Sequence, residues 1–172
     1  MIKGHNLTNT SSYIKNFIFG VEDSLVSTVG LLSGVASGGL PKPEIFLTGV
    51  VLIFVEAFSM GVGSFLSEHS IEKFENGKEI ASSKSRVAGI IMFFSYFFSG
   101  FVPLLPYLYF STGIAFAISI FSSLLSLFIL GIVSAKIFKI NLLHNGMEML
   151  ILGGGAILMG IIVGIILRGV SF

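Results

Sequence analysis

The stretch IFLTGVVLIFVEAFSMGVGSFLS, residues 45–67, contains a single charged residue, Glu56, near its centre. A helix of this length rises about 35 Å, at about 1.5 Å per residue, and can cross a hydrocarbon core of about 30 Å. Four similar apolar stretches occur, at about residues 14–38, 87–110, 113–135 and 149–167. The sequence therefore predicts five membrane-spanning helices.

The composition of the whole chain agrees with a membrane protein. Of its 172 residues, 53% are hydrophobic and 11% are charged, whereas soluble domains carry about 25% charged residues. The net charge of +1 excludes the excess basic charge on which most nucleic-acid binding depends. Because the chain has no cysteine, disulfides, zinc–thiolate centres and thiol nucleophiles are excluded as well. We predict an all-α, polytopic protein of the lipid bilayer, with no nucleic-acid partner.

The basic residues indicate the orientation of the chain in the membrane. The positive-inside rule places the N-terminus, a short loop at residues 68–86 and the connection at 136–147 in the cytoplasm. We recognise no cleavable signal peptide, and the connections are short, so we expect the plasma membrane of a prokaryote. Eight basic residues lie on the predicted cytoplasmic side and two on the other: Lys3, Lys15, Lys73, Lys78, Lys84, Arg86, Lys136 and Lys139 against Lys42 and Arg168.

Three acidic residues, Glu22, Asp23 and Glu56, lie inside predicted spans. A carboxylate within a membrane costs a few kcal/mol on insertion scales, so such residues usually face a protein interior or a watery cavity and mark an ion or proton path. The alternative is a protonated acid that hydrogen-bonds a neighbouring helix and has only a structural role. The residue pattern leaves both interpretations open.

Polar and small residues recur at helical spacing along one face of each of the first two spans. Small residues allow helices to approach closely, and for the glycines packing alone explains the pattern at least as well as function does. The first face holds Asp23, Ser27, Gly30 and Gly34, and the second holds Glu56, Met60, Gly63 or Ser64, and Ser67.

Asp23 and Met60 are predicted to lie at similar depth. Each is eight residues from its predicted cytoplasmic boundary, at Lys15 and Glu68, which is about 12 Å along a helix axis. A carboxylate oxygen and a thioether sulfur facing one cavity would suit a transition-metal ion better than Mg²⁺ or Ca²⁺. The alternative for Met60 is simple packing, which is the usual role of a buried methionine.

The segment after the second span repeats the acidic theme. Glu68, Glu72 and Glu75 would share one face if the helix continues beyond the membrane, and Asn76–Gly77 predicts where such a helix stops. The three carboxylates are candidates for capturing metal at the cytoplasmic surface. The alternative is a solvated face with lysine partners.

Two segments, GVEDSLVSTVGL at residues 20–31 and EAFSMGVGSFLS at residues 56–67, resemble signatures of the vacuolar iron transporter family. The resemblance implies five membrane helices, a cytoplasmic N-terminus and a homodimer formed through the first two helices. It further implies export of Fe²⁺, and in some members Mn²⁺, from the cytosol in exchange for protons. The metal would be the transported substrate, and we expect no resident cofactor.

The resemblance also assigns residues. Asp23 and Met60 match the acid and the methionine that line the family's translocation path. Our own hypothesis of metal export adds Glu22 and Glu56 as further ligands or proton carriers. Only about 19 residues connect the second and third spans, so this is a short form without the long cytoplasmic metal-binding domain of some members. The glutamates after the second span could be a remnant of that domain.

Two other classes of function are alternatives to transport. A membrane scaffold or partner subunit would use its buried acids only as structural hydrogen-bonding groups. An intramembrane enzyme is disfavoured because no catalytic spacing of Ser and His or of paired Asp is recognisable, and we expect no enzyme activity. All three histidines lie outside the predicted spans: His5, His69 and His144.

Overall fold

A computed structural model of the chain describes residues 2–77 and 82–169, without the side chains of residues 2–9, 75 and 76. This part of the chain is helical apart from short connections and contains no strand, which confirms the predicted all-α fold. Each helix contains a segment long and apolar enough to cross a membrane. The helices are α1 (Ile2–Ser37), α2 (Lys42–Asn76), α3 (Ser83–Tyr109), α4 (Thr112–Phe138) and α5 (Leu142–Arg168).

The second helix ends where the sequence predicts a stop. Gly77 adopts the left-handed conformation, with φ of 62°, and its N–H donates to the carbonyl oxygen of Lys73 at 2.9 Å. Much of the short connection predicted at residues 68–86 is helical, because it continues α2 and begins α3. Because no helix breaker precedes Gly77, α2 continues through Asn76, and α3 begins at Ser83.

The first helix lies at the centre of the structure and contacts each of the other four helices. Its contact with α5 runs parallel, and successive small residues of the two helices meet backbone to backbone. A Cβ atom on Gly30 would lie 3.2 Å from the carbonyl oxygen of Ala156, and one on Gly34 would lie 2.9 Å from that of Gly160. The packing interpretation of the α1 glycines is thus confirmed, and their partner is a helix of the same chain.

The second helix packs on the third in the same manner. A Cβ atom on Gly89 would lie 2.8 Å from the carbonyl oxygen of Gly61, and one on Gly61 would lie 2.9 Å from Cβ of Phe93. Glycine contacts therefore define two helix pairs, α1 with α5 and α2 with α3. Between α2 and α5 a cleft remains, and α1 forms its floor.

Candidate functional site

The cleft between α2 and α5 has a volume of about 970 Å³ and is open along one side. Asp23 of α1 and Glu56 of α2 line it, and Arg168 lines it near the C-terminal end of α5. Most of its other lining residues are small or apolar, including Gly30, Gly34, Gly160 and Gly164. Two of the predicted membrane acids therefore face one space, although they belong to different helices.

Hydrogen bonds between side chains set the register of α1 against α2. The Ser64 hydroxyl donates to Oδ1 of Asn16 at 2.6 Å, and the Ser12 hydroxyl donates to the Glu68 carboxylate. The two helices are antiparallel, and in both contacts the residue numbers add up to 80. The same register applied further along the helices shows which membrane residues lie opposite each other.

In this register Asp23 lies level with Ala57 and therefore beside Glu56, which agrees with the electrostatic interaction between the two carboxylates. Met60 lies level with Gly20, about three residues or about 4.5 Å nearer the start of α1. The expected depth match is therefore between Asp23 and Glu56 rather than between Asp23 and Met60. Met60 shares a helix face with Glu56 but does not line the cavity.

A tyrosine that was not among the predicted site residues also belongs to this site. Tyr96 of α3 is fully buried, and its hydroxyl donates to Oε2 of Glu56 at 2.7 Å. The Ser27 hydroxyl lies 2.6 Å from the same phenolic oxygen and donates to it, since the phenolic proton is already engaged. The Ser24 hydroxyl donates to the backbone oxygen of Tyr96 at 2.6 Å. The signal was available, because a tyrosine in a phenylalanine-rich membrane helix needs a polar partner for its hydroxyl.

The electrostatics of the site favour a cation. Like charges repel strongly in a medium of low dielectric constant, so a bound cation or a proton between Asp23 and Glu56 relieves that repulsion. Carboxylate and hydroxyl oxygens are ligands for hard and borderline divalent ions. No cluster of three or more carboxylate, imidazole or thiol side chains within residues 2–77 and 82–169 could hold a metal ion. One chain thus supplies two carboxylates, and other ligands must complete the coordination.

Glu22 does not line the cavity with its neighbour Asp23. Its carboxylate interacts electrostatically with both Asp23 and Glu148, a residue of α5. The parallel register of α1 and α5 explains the contact with Glu148, which lies two helical turns before Ala156 just as Glu22 lies two turns before Gly30. The predicted fifth span began one residue after Glu148, so sequence analysis overlooked it. The role of Glu22 as a ligand or proton carrier stays a prediction.

The candidate capture residues at the end of α2 make contacts within the chain. Glu72 is 8% exposed, and its carboxylate accepts hydrogen bonds from the hydroxyls of Ser82 and Ser85, the latter at 2.9 Å. Glu68 pairs with Lys84 at 3.0 Å. The side chain of Glu75 lies outside the described part of the structure. These contacts join α2 to the start of α3, and metal capture by the three glutamates stays a prediction.

The Tyr96→Phe substitution should destabilise the protein by about 1–2 kcal/mol, because it removes two hydrogen bonds of the half-buried Ser27 and Glu56 side chains. Tyr107→Phe is the matched control. Tyr107 is also fully buried on α3, but its hydroxyl has no hydrogen-bond partner among the described residues. Thermal unfolding in detergent, followed by circular dichroism, measures both variants. Equal stability of the two variants would contradict the assigned hydrogen bonds.

The sequence of these helices matches a known protein family. A sequence model of the VIT family matches residues 14–87 and 71–165 of the chain, and so covers all five helices. The chain belongs to the VIT family. In this VIT-family chain, both carboxylates of the cavity and Tyr96 lie within the matched residues.

A related protein from Toxoplasma gondii is described as a vacuolar iron transporter. It is 31% identical to this VIT-family chain over 70 residues, which are 40% of the chain and 23% of the Toxoplasma protein. The matched part is therefore less than a quarter of that relative. Family membership and five apolar helices make this chain an integral membrane protein.

Proposed function

We propose that this chain transports a divalent transition-metal ion across the membrane, with Asp23 and Glu56 as ligands within the span. The observation that carries the proposal is the convergence of two carboxylates, from α1 and α2, on one cleft between the helices. Family membership supports it, as does the described function of the Toxoplasma relative. Met60 lies about one helical turn from Glu56 on the same face and supplies a thioether sulfur along the path.

We propose proton antiport as the driving mechanism and export from the cytosol as its direction. Protons and metal ions compete for the same carboxylate oxygens, because burial favours the protonated acid and a bound cation favours the carboxylate. Alternating exposure of the site to the two sides would then exchange one for the other. The substrate would be Fe²⁺ or Mn²⁺, and the membrane a prokaryotic plasma membrane, consistent with the short connections between the helices.

We further propose that two copies of the chain form the path through α1 and α2. One chain brings only two carboxylates to the cavity, so a partner chain could complete the coordination. The outer face of α2 allows close approach because Ser59, Gly63 and Ser67 are exposed. A Cβ atom on Gly63 would have no heavy atom within 4 Å, so a second helix has room there.

Metal flux into proteoliposomes tests the proposal. Purified protein is reconstituted with a metal-sensitive dye inside, and Fe²⁺, Mn²⁺, Mg²⁺ and Ca²⁺ are compared with and without a pH gradient. We expect gradient-dependent flux of Fe²⁺ or Mn²⁺ and much smaller flux of Mg²⁺ and Ca²⁺. If folded protein moves none of the four ions, the transport proposal fails and the buried acids are structural.

A further inference from the structure

A series of polar contacts connects α1, α2 and α3 on the predicted cytoplasmic side of Asp23 and Glu56, which we call the acid pair. Asn16 is the link nearest the cavity. It is 8% exposed, accepts from Ser64 at 2.6 Å and donates from Nδ2 to the backbone oxygen of Ser12 at 2.9 Å. The next link is Glu68, which accepts from the Ser12 hydroxyl. We call Ser12, Asn16, Ser64, Glu68 and Lys84 the polar bridge.

The outermost link of the polar bridge is an ion pair. Lys84, in the first turn of α3, places Nζ 3.0 Å from Oε2 of Glu68. The two side chains are only 24% and 15% exposed, so water screens the pair less than it would a surface pair. Lys15 of α1 adds a second positive charge near Glu68. These contacts thus hold α1, α2 and α3 together at the same position along the helix axes.

The cavity stops before it reaches the polar bridge. Its lining includes no α1 residue before Asp23 and no α2 residue after Glu56. In the other direction it extends past Gly34 and Gly38 to Arg168. The space that contains the acid pair therefore extends toward the C-terminal end of α1. Toward the N-terminal end of α1, it stops at the acid pair.

We propose that the polar bridge is the cytoplasmic gate of the path, closed in this structure, and that it opens when α1 separates from α2 and α3 at this end. The proposal rests on the proposed function for the identity of the path. Opening breaks two side-chain hydrogen bonds between α1 and α2. The Glu68–Lys84 pair links α2 to α3 and holds the Glu68 carboxylate where Ser12 reaches it. Contacts of this kind are individually weak, so the closed state can be left readily.

Cysteine labelling tests the gate without requiring transport. The chain has no cysteine, so Met60→Cys creates a single thiol between the acid pair and the polar bridge. A membrane-impermeant thiol reagent is applied from the cytoplasmic side, after the orientation of the protein has been determined. We expect slow labelling of Met60→Cys alone. Adding Glu68→Gln or Lys84→Met should raise the rate about fivefold, because the loss of about 1 kcal/mol shifts the population toward the open state.

Two further variants separate a gate from a general loss of structure. Lys84→Arg keeps the positive charge beside the Glu68 carboxylate, and so keeps both the ion pair and the acceptor for Ser12, and should leave labelling slow. Lys136→Met removes the same charge as Lys84→Met, but at an exposed position in the last turn of α4, and should leave the rate unchanged. Size-exclusion profiles identify the folded variants, and Ser12→Ala is a milder substitution if the charge variants do not fold.

Labelling as slow in the Glu68, Lys84 and Ser12 variants as in Met60→Cys alone would overturn the gate. Rapid labelling of Met60→Cys in the unaltered background would overturn the closure itself. Because the assay detects access rather than flux, protein that moves no metal could still show a working gate, and transporting protein could still lack one.

Discussion

Asp23→Asn should reduce metal flux by about 100-fold or more while the protein remains folded. The amide has nearly the shape of the carboxylate but lacks its charge. At an effective dielectric constant of about 20, a contact between unit charges at 4 Å contributes about 4 kcal/mol, and a divalent ion contributes more. Each 1.4 kcal/mol corresponds to about a factor of ten, so loss of this charge should nearly abolish binding within the membrane.

Glu56→Gln should have an effect of similar size, because the two carboxylates face the same cavity. The remaining amide oxygen can still accept the hydrogen bond from Tyr96, so the fold should tolerate the change. Glu44→Gln is the control, since Glu44 is an exposed acid in the first turn of the same helix. Flux into dye-loaded proteoliposomes is the measurement, and normal flux through Asp23→Asn would exclude Asp23 as a ligand.

Gly160→Val should destabilise the protein by about 3 kcal/mol or more, or prevent folding. A Cβ atom at this position would overlap the carbonyl oxygen of Gly30. Backbone atoms cannot rotate away as a side chain can, so α1 and α5 must separate, and overpacking of even flexible surroundings costs about 1–3 kcal/mol. The loss of contact would extend along the glycine face of both helices.

Gly154→Val is the matched control for the glycine contact. It lies in the same helix, and a Cβ atom there would have no heavy atom within 4 Å. The two variants share the intrinsic helix propensity of valine, so their difference isolates the contact with α1. Thermal unfolding by circular dichroism in one detergent measures both, and equal melting temperatures would contradict the α1–α5 packing.

Hydropathy was sufficient to predict the helices. Five apolar stretches became five helices, and Asn76–Gly77 ended α2 as expected, because length, polarity and a left-handed glycine are local properties of the sequence. Membrane helices satisfy their own backbone hydrogen bonds, so little tertiary information is needed to define them.

The candidate site was only partly predictable, because spacing defines a helix face but does not identify its neighbour. The face with Asp23, Gly30 and Gly34 is real, yet its glycines meet α5 of the same chain. Depth counted from charged boundaries paired Asp23 with Met60, whereas the register set by side-chain hydrogen bonds pairs it with Glu56. Tyr96 could not be assigned to Glu56 before α3 was placed beside α1 and α2.

The glycines that bring α1 and α5 together also leave space for the cavity, because they have no side chains to fill it. Gly30, Gly34, Gly160 and Gly164 appear both in the helix contact and in the cavity lining, so one set of missing side chains both creates close packing and leaves open volume. Gly155 lines the same space, and a Cβ atom there would have nothing within 4 Å. The volume of the cavity can therefore be reduced one side chain at a time from position 155, while the seam between the helices stays intact.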